Sequence, residues 1–227
     1  GRHAELPTEN ALIVFADGGY VELLAARSAM ARAVARRLVR GPEWRTWQPR
    51  MDAIGRRFLP HLARTGVCGF VFRASGLADI AAAARTRGLA SEGPLAMGRE
   101  RPDGRRLAWE LLLPETLELP ILIDDTTPRE WRVPQDPSAV QHANGATGVG
   151  EVTLRVHSIA AARDRWRAWL GESFGASATG SEFRLAADGF RLRLLESDSV
   201  GAVSATVLGI RAKSALDPIA TWRISAG

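Results

Sequence analysis

Cysteine is nearly missing from this chain: Cys68 is the only one in 227 residues. A lone thiol excludes an intramolecular disulfide framework and any multi-cysteine zinc or iron–sulfur site. Such usage fits a reducing cytoplasm, which is the expected location. Lysine is equally scarce, since every basic residue except Lys213 is arginine. The four histidines are scattered, and none forms an H-x-H or H-x-x-x-H pair of the kind that would hold a metal. No apolar run approaches the ~20 residues needed to cross a bilayer. No charged and apolar leader pattern is visible at Gly1. A phosphate-binding P-loop, a G-x-S-x-G elbow and a G-x-G-x-x-G turn after a strand are all missing.

What is present is a chain that should pack. Apolar residues make up 46 %, enough for a sizeable core, and the net charge is +5. The arginines are spread along the whole length, so the basic balance alone is a weak reason to invoke nucleic acid. They are densest between Arg27 and Arg40, in RSAMARAVARRLVR. Ser28 is placed to cap a helix there and Gly41-Pro42 to end it. Met30, Val34 and Leu38 recur every fourth residue, predicting an apolar stripe turned to the core with solvated arginines elsewhere. The sharper alternative is a phosphate-binding face, but no aromatic platform accompanies it.

Turn signals recur. Asp17-Gly18, Asp103-Gly104 and Asp188-Gly189 each precede a strand-like run: GYVELLA, RRLAWELLL and FRLRLLE. Asp-Gly between extended runs predicts a hairpin, because glycine accepts a positive φ cheaply. A second pattern also repeats. The stretches 66–89 and 149–171 each read as a strand, a short turn and an alanine-rich helix, with Ser75 and Ser158 as N-caps and Gly88 and Gly171 as stops. A third such start lies at 203–222, shortened by Pro218. The expected unit is a strand, a helix and then several strands. Counted against the later copies, the first copy lacks about twenty residues, its opening strand and helix. Trp44 and Trp47 are expected in a core, an interface or a cleft wall.

The stretches LPTENALIVFADGGYVELLA (6–25), GLADIAAAARTRGL (76–89), RERPDGRRLAWELLLPE (99–115) and LPILIDD (119–125) together resemble the glyoxalase-like proteins of the vicinal oxygen chelate superfamily, which includes bleomycin-resistance proteins and dioxygenases. The resemblance implies an α+β fold in which repeated βαβββ modules form a curved mixed sheet around a cleft. It divides the chain into paired modules at 1–130, the first incomplete, a linker at 131–148, and a further partial unit at 149–227. It places Asp17-Gly18 before the last strand of its module and Asp103-Gly104 at an earlier turn. The even spacing of the Asp-Gly pairs is therefore partly a coincidence of turn chemistry.

In metal-dependent members of the superfamily, histidine and glutamate ligands on the first and last strands of each module hold one divalent ion, whose open positions take the substrate's neighbouring oxygens. Carried over, Glu22 of YVELLA falls at a ligand position and is the strongest catalytic candidate. A salt-bridged or cleft-lining carboxylate and an outward-facing residue are the open alternatives. The histidine implied near Cys68 or Gly69 is missing. Asp124 stands where a glutamate is implied, with a turn-capping role as the alternative, and His3 at the edge of the first module is a third metal candidate. Thr8 and Asn10 match polar positions that would orient a substrate oxygen. Trp109 and Glu110 alternate along a strand, so at most one of them faces a cleft.

Three functions remain open on these residues. One is a metal-dependent lyase, isomerase or dioxygenase acting on a small oxygenated substrate. Another is a metal-free module that sequesters a small aromatic compound, and the third is an assembly domain. A small-molecule partner is expected, with no nucleic acid, no membrane, no cofactor besides the metal, and a homodimer formed through exposed sheet edges.

Overall fold

A computed structural model describes residues 8–63, 66–171, 177–179, 182–184, 190–198, 201–208 and 221–222. The chain opens with an antiparallel hairpin of β1 (Thr8–Val14) and β2 (Tyr20–Ala26), in register from Thr8↔Ala26 to Val14↔Tyr20. Its turn is the predicted Asp17-Gly18: Gly18 has φ +80°, and the Asp17 carboxylate accepts the Gly19 N–H at 2.7 Å. Side chains alternate across the pleat. Thr8, Asn10, Leu12, Val14, Tyr20, Glu22 and Leu24 share one face, with Thr8 and Val14 buried. The other face carries Ile13 and Leu23, both exposed.

Helix α1 (Ala29–Arg40) begins at Ser28, whose hydroxyl accepts the Ala31 N–H, and stops at Gly41, as its sequence predicts. Its orientation is not as predicted. Met30, Val34 and Leu38 point outward, and the inward seam is Ala35, which is buried, flanked by half-buried Ala31 and Val39. Small side chains on that seam admit the neighbouring helix α3 (Ala53–Leu62), reached through the short helix α2 (Trp44–Trp47) and a 3-10 turn at Gln48–Arg50. Trp47 is exposed and so is not in a core, with the Arg50 guanidinium 5.7 Å from its ring.

The next run is β3 (Val71–Arg73), α4 (Leu77–Thr86), β4 (Ser91–Glu100), β5 (Arg106–Pro114) and β6 (Ile121–Asp125), forming a mixed sheet in the order β3-β6-β5-β4 with β3 parallel to β6. Asp103-Gly104 makes the β4–β5 turn, with φ +80° at Gly104. Ser75 does not cap α4. Gly76 does so in a left-handed conformation, φ +72°, and the Asp124 carboxylate accepts its N–H at 3.2 Å.

Two short helices, α5 (Arg129–Arg132) and α6 (Pro137–Val140), lead to β7 (Gly148–Val156) and α7 (Ile159–Leu170), which Ser158 caps and Gly171 (φ +76°) ends, as predicted. The strands β8 (Ser177–Thr179), β9 (Glu182–Arg184), β10 (Arg191–Glu196), β11 (Gly201–Leu208) and β12 (Thr221–Trp222) complete a sheet in the order β12-β11-β7-β10-β9-β8, with β7 parallel to β10. The third Asp-Gly pair, Asp188-Gly189, lies outside the described residues. The fold is therefore α+β with mixed sheets. No helix among the described residues is long and apolar enough to cross a membrane.

Two apolar cores form on opposite faces of the four-stranded sheet. Leu112 and Leu122 face α4, and this core continues into β7, β10 and α7, where Trp166 and Trp169 are fully buried. Trp166 stacks on Phe70 at 5.8 Å, with the planes only 6° apart. Leu111, Leu113, Ile121 and Ile123 face the other way and are covered by Ala53, Ile54 and Phe58 of α3. Arg57 of the same helix is buried, and its guanidinium donates to the Thr116 and Leu119 carbonyls at 2.9 Å each. Burial pushes its pKa down to about 10.

Candidate active site

The half-buried face of the hairpin carries the first part of the site. Asn10 and Glu22 sit diagonally across the β1–β2 ladder, because Leu12 is the residue directly opposite Glu22. A diagonal neighbour is within reach of a long side chain. Asn10 Nδ2 donates to Glu22 Oε1 at 2.7 Å. Glu22 is exposed, whereas Thr8, on the same face, is buried. The carboxylate thus has one oxygen held by an amide and the other directed to solvent.

The second part is the α3-covered face of the four-stranded sheet. Trp109 and Asp125 are cross-strand partners there. Asp125 ends β6 and is nearly buried, so its charge needs compensation. Helix α5 supplies it. Arg132 grips the carboxylate with two donors, Nε to Oδ1 at 2.6 Å and Nη2 to Oδ2 at 2.9 Å. Arg129 adds a third contact at 3.2 Å. Burial alone would raise the Asp125 pKa, but the hydrogen bonds and charge of Arg132, then of Arg129, hold it below the usual carboxylate range. Burial likewise works against the Arg132 cation, yet the Asp125 bonds and the Tyr20 hydroxyl raise its pKa above the ordinary value.

This cluster ties the two parts together. Arg132 Nη1 donates to the Tyr20 hydroxyl at 2.9 Å, and Tyr20 shares the hairpin face of Asn10 and Glu22. The Arg132 guanidinium also lies over the rings of Tyr20 and Trp109, at 5.6 and 5.9 Å. Arg129 Nη2 donates to the Gly18 carbonyl in the hairpin turn at 2.6 Å. Farther along, His142 Nε2 meets the Val14 carbonyl at 2.7 Å, which places the ring proton on that nitrogen. The hairpin is held to the sheet by polar groups reaching from the segment between the two large sheets.

A family model described as a glyoxalase-like domain matches residues 1–170. The chain belongs to that family. Among solved structures, a hypothetical protein from Staphylococcus aureus has the same fold, with a TM-score of 0.69 at 15 % identity, covering 94 % of this chain and 82 % of the other. No curated protein matches the chain.

The candidate residues divide between faces of this glyoxalase-like domain. Thr8, Asn10 and Glu22 share the hairpin face, and Trp109 lies on the wall joined to it through Arg132. Glu110 and Asp124 pair with each other across β5 and β6 on the opposite face of the sheet, the side covered by α4. There Asp124 holds the Gly76 turn. His3 lies outside the described residues. Among the described residues no group of three His, Cys, Asp or Glu side chains could hold a metal ion, so they do not fit the divalent centre that the family implies.

Sequence reasoning passed over Tyr20, Asp125, Arg129 and Arg132. The signal was available: Tyr20 and Glu22 alternate onto one face, and Arg129 and Arg132 are three apart on one helical turn that directly follows an acidic strand end. No histidine stands at Cys68 or Gly69; His61 on α3, one of the four scattered histidines, lies with Nε2 3.7 Å from where a Cβ on Gly69 would sit.

Proposed function

We propose that this glyoxalase-like domain binds a small oxygenated or aromatic molecule in a hollow between the Asn10–Glu22 face of the hairpin and the Trp109 wall. The reading treats β3 to β6 and β7 to β10, each with its helix, as repeated βαβββ modules, and the hairpin as the closing strands of an earlier one. The like strand orders β3-β6-β5-β4 and β7-β10-β9-β8, each with parallel first and last strands, support it. On this view residues 1–130 hold the binding half and 149–227 the further unit.

The observation that carries the proposal is the held carboxylate. Asn10 fixes one oxygen of Glu22, so the free oxygen is aimed without a large entropic cost and can accept a ligand hydroxyl. The Trp109 and Tyr20 rings supply apolar area beside it, the combination expected of small-molecule sites. Thr8 shares this face and is buried.

The same geometry favours a second reading, an enzyme in which the free Glu22 oxygen takes a proton from an acidic carbon or hydroxyl of the bound molecule. Glu22→Gln separates the two. It keeps the shape and a hydrogen-bonding end but removes the basic oxygen. With a ligand found by mass spectrometry of the purified protein, a simple binding site loses affinity by about tenfold on this substitution. An enzyme keeps affinity within a few-fold and loses turnover. Unchanged affinity and no turnover in either protein would overturn both. Ion content measured on the same samples checks the family's metal. A stoichiometric divalent ion that Glu22→Gln releases would overturn the metal-free reading.

A further inference from the structure

Helix α1 turns to solvent the stripe that its sequence pattern predicts to be buried. Met30, Val34 and Leu38 are 75 %, 50 % and 42 % exposed and lie in one row at four-residue spacing. On a helical wheel Arg37 lies at the edge of this row, about 20° beyond Met30, and Arg40 and Arg36 continue the flank about 80° and 120° from Met30. All three arginines are exposed and form no ion pair among the described residues. No acidic residue occurs from Arg27 to Pro42. Ala35 is buried on the other side of the helix and α1 packs against α3, which fixes this apolar and cationic surface in place.

We propose that α1 docks the protein on an anionic lipid surface. The helix would lie in the plane of the headgroups, its three apolar side chains below the phosphates and its guanidiniums among them. At 12 residues it lies on the bilayer rather than across it. Charge complementarity selects this occupant. A second copy would set arginine against arginine across the contact. A nucleic acid would pair with the arginines but leave Met30, Val34 and Leu38 in water. An anionic bilayer takes both. The sequence-based expectation of no membrane partner rested on the lack of a spanning run, which does not bear on surface docking.

The test is sedimentation of the full chain with phosphatidylcholine vesicles, with and without phosphatidylserine. Two variants change only exposed side chains: Met30→Ser/Val34→Ser/Leu38→Ser, which keeps every charge, and Arg37→Gln/Arg40→Gln, which keeps the apolar row. Thermal unfolding of each establishes that it is folded. Binding is expected only with phosphatidylserine. It should fall roughly 20-fold in the arginine variant, about fivefold for each guanidinium lost, and at least about tenfold in the serine variant. Equal binding by the serine variant and the parent would overturn the proposal, because the attraction would then be bulk positive charge. Binding to a short DNA duplex that survives the serine changes but not the glutamine changes would assign the face to nucleic acid instead. A dimer that the serine variant dissociates, with no vesicle binding, would assign it to a second copy. No sedimentation with either vesicle would also overturn it.

Discussion

Where α7 packs against α4 and the four-stranded sheet the contact is mainly apolar, with Arg87 donating to the Ala168 carbonyl at 2.8 Å. Trp166 and Trp169 are fully buried, Phe70 and Phe72 pack on Trp166, and the Trp169 indole N–H is satisfied by the Pro120 carbonyl at 3.0 Å. Between the β1–β2 hairpin and the β5–β6 wall the contact is ionic. Asp125, Arg129, Arg132 and Tyr20 form one connected set. The first contact draws its stability from area removed from water, which is insensitive to pH and to small rotations. The second depends on geometry, and it loses more from one missing partner than it gains from the intact set. The proposed ligand-binding face belongs to the second region. A hairpin of two strands is marginal by itself, so Glu22 depends on this polar set together with the burial of Val14 and Phe15.

The largest effect is expected in the apolar contact. Trp166→Ala should cost about 3–5 kcal/mol, because the ring is fully enclosed and its removal leaves a cavity. Urea unfolding measures it. A loss near 1 kcal/mol would mean that the two sheets do not depend on this contact, and the contrast between the regions would fail. Arg132→Met comes next, at about 3 kcal/mol, since Asp125 would keep only the more exposed Arg129 as its charge partner. Asp125→Asn/Arg132→Met should lose less than the sum of the single variants, by about 1–3 kcal/mol. Strict additivity in that double-mutant cycle would show the pair to be uncoupled. Hydrogen exchange distinguishes the regions further: Arg132→Met should speed exchange in β1 and β2 and leave α7 unchanged.

The difference between the regions also accounts for what could be read from residues alone. Local signals transferred well. The caps Ser28 and Ser158, the stop at Gly171 and the Asp-Gly turns at Gly18 and Gly104 depend on neighbours within a few residues, and the structure has them where expected. Period-two alternation correctly kept Trp109 and Glu110 on opposite faces. Signals that depend on a distant partner failed. Met30, Val34 and Leu38 have the spacing of a buried stripe, but α1 packs against α3 with its buried position at Ala35, on a different side of the helix. Ser75 is a good capping residue in the wrong place, because Asp124, 48 residues away in sequence, holds the Gly76 turn. The Asp125 cluster joins residues more than a hundred positions apart, from Tyr20 to Arg132, and nothing in a linear pattern ties a tyrosine in one strand to an arginine in a later helix.

Acid should weaken the polar junction. The Asp125 pKa lies below its unfolded value, so the carboxylate contributes stability that is fully present above the ordinary aspartate pKa of about 3.9 and is lost as pH falls through the folded value. Urea midpoints measured from about pH 5 down to about pH 2 should therefore fall more steeply in the parent than in Asp125→Asn, which has no proton to gain at this site. Equal slopes would show that Asp125 is not held by Arg132 and Arg129 in solution.

The smallest effect on stability is expected where the largest effect on binding is proposed. Glu22 is exposed and its one described partner is Asn10, so Glu22→Gln should change stability by less than about 0.5 kcal/mol. Asn10→Ala should be similarly mild, yet it frees the carboxylate to rotate. If the held oxygen matters, Asn10→Ala should weaken ligand binding by a few-fold while the unfolding midpoint stays near that of the parent. Calorimetry on Asn10→Ala and Arg132→Met together sharpens the comparison. The first variant loosens one side chain on an intact hairpin, whereas the second loosens the hairpin with the side-chain contact intact. Weakening in both places the binding face under control of the polar junction. Weakening in Asn10→Ala alone would mean that the hairpin keeps its position without Arg132, and that the ionic set contributes stability but not the aim of Glu22.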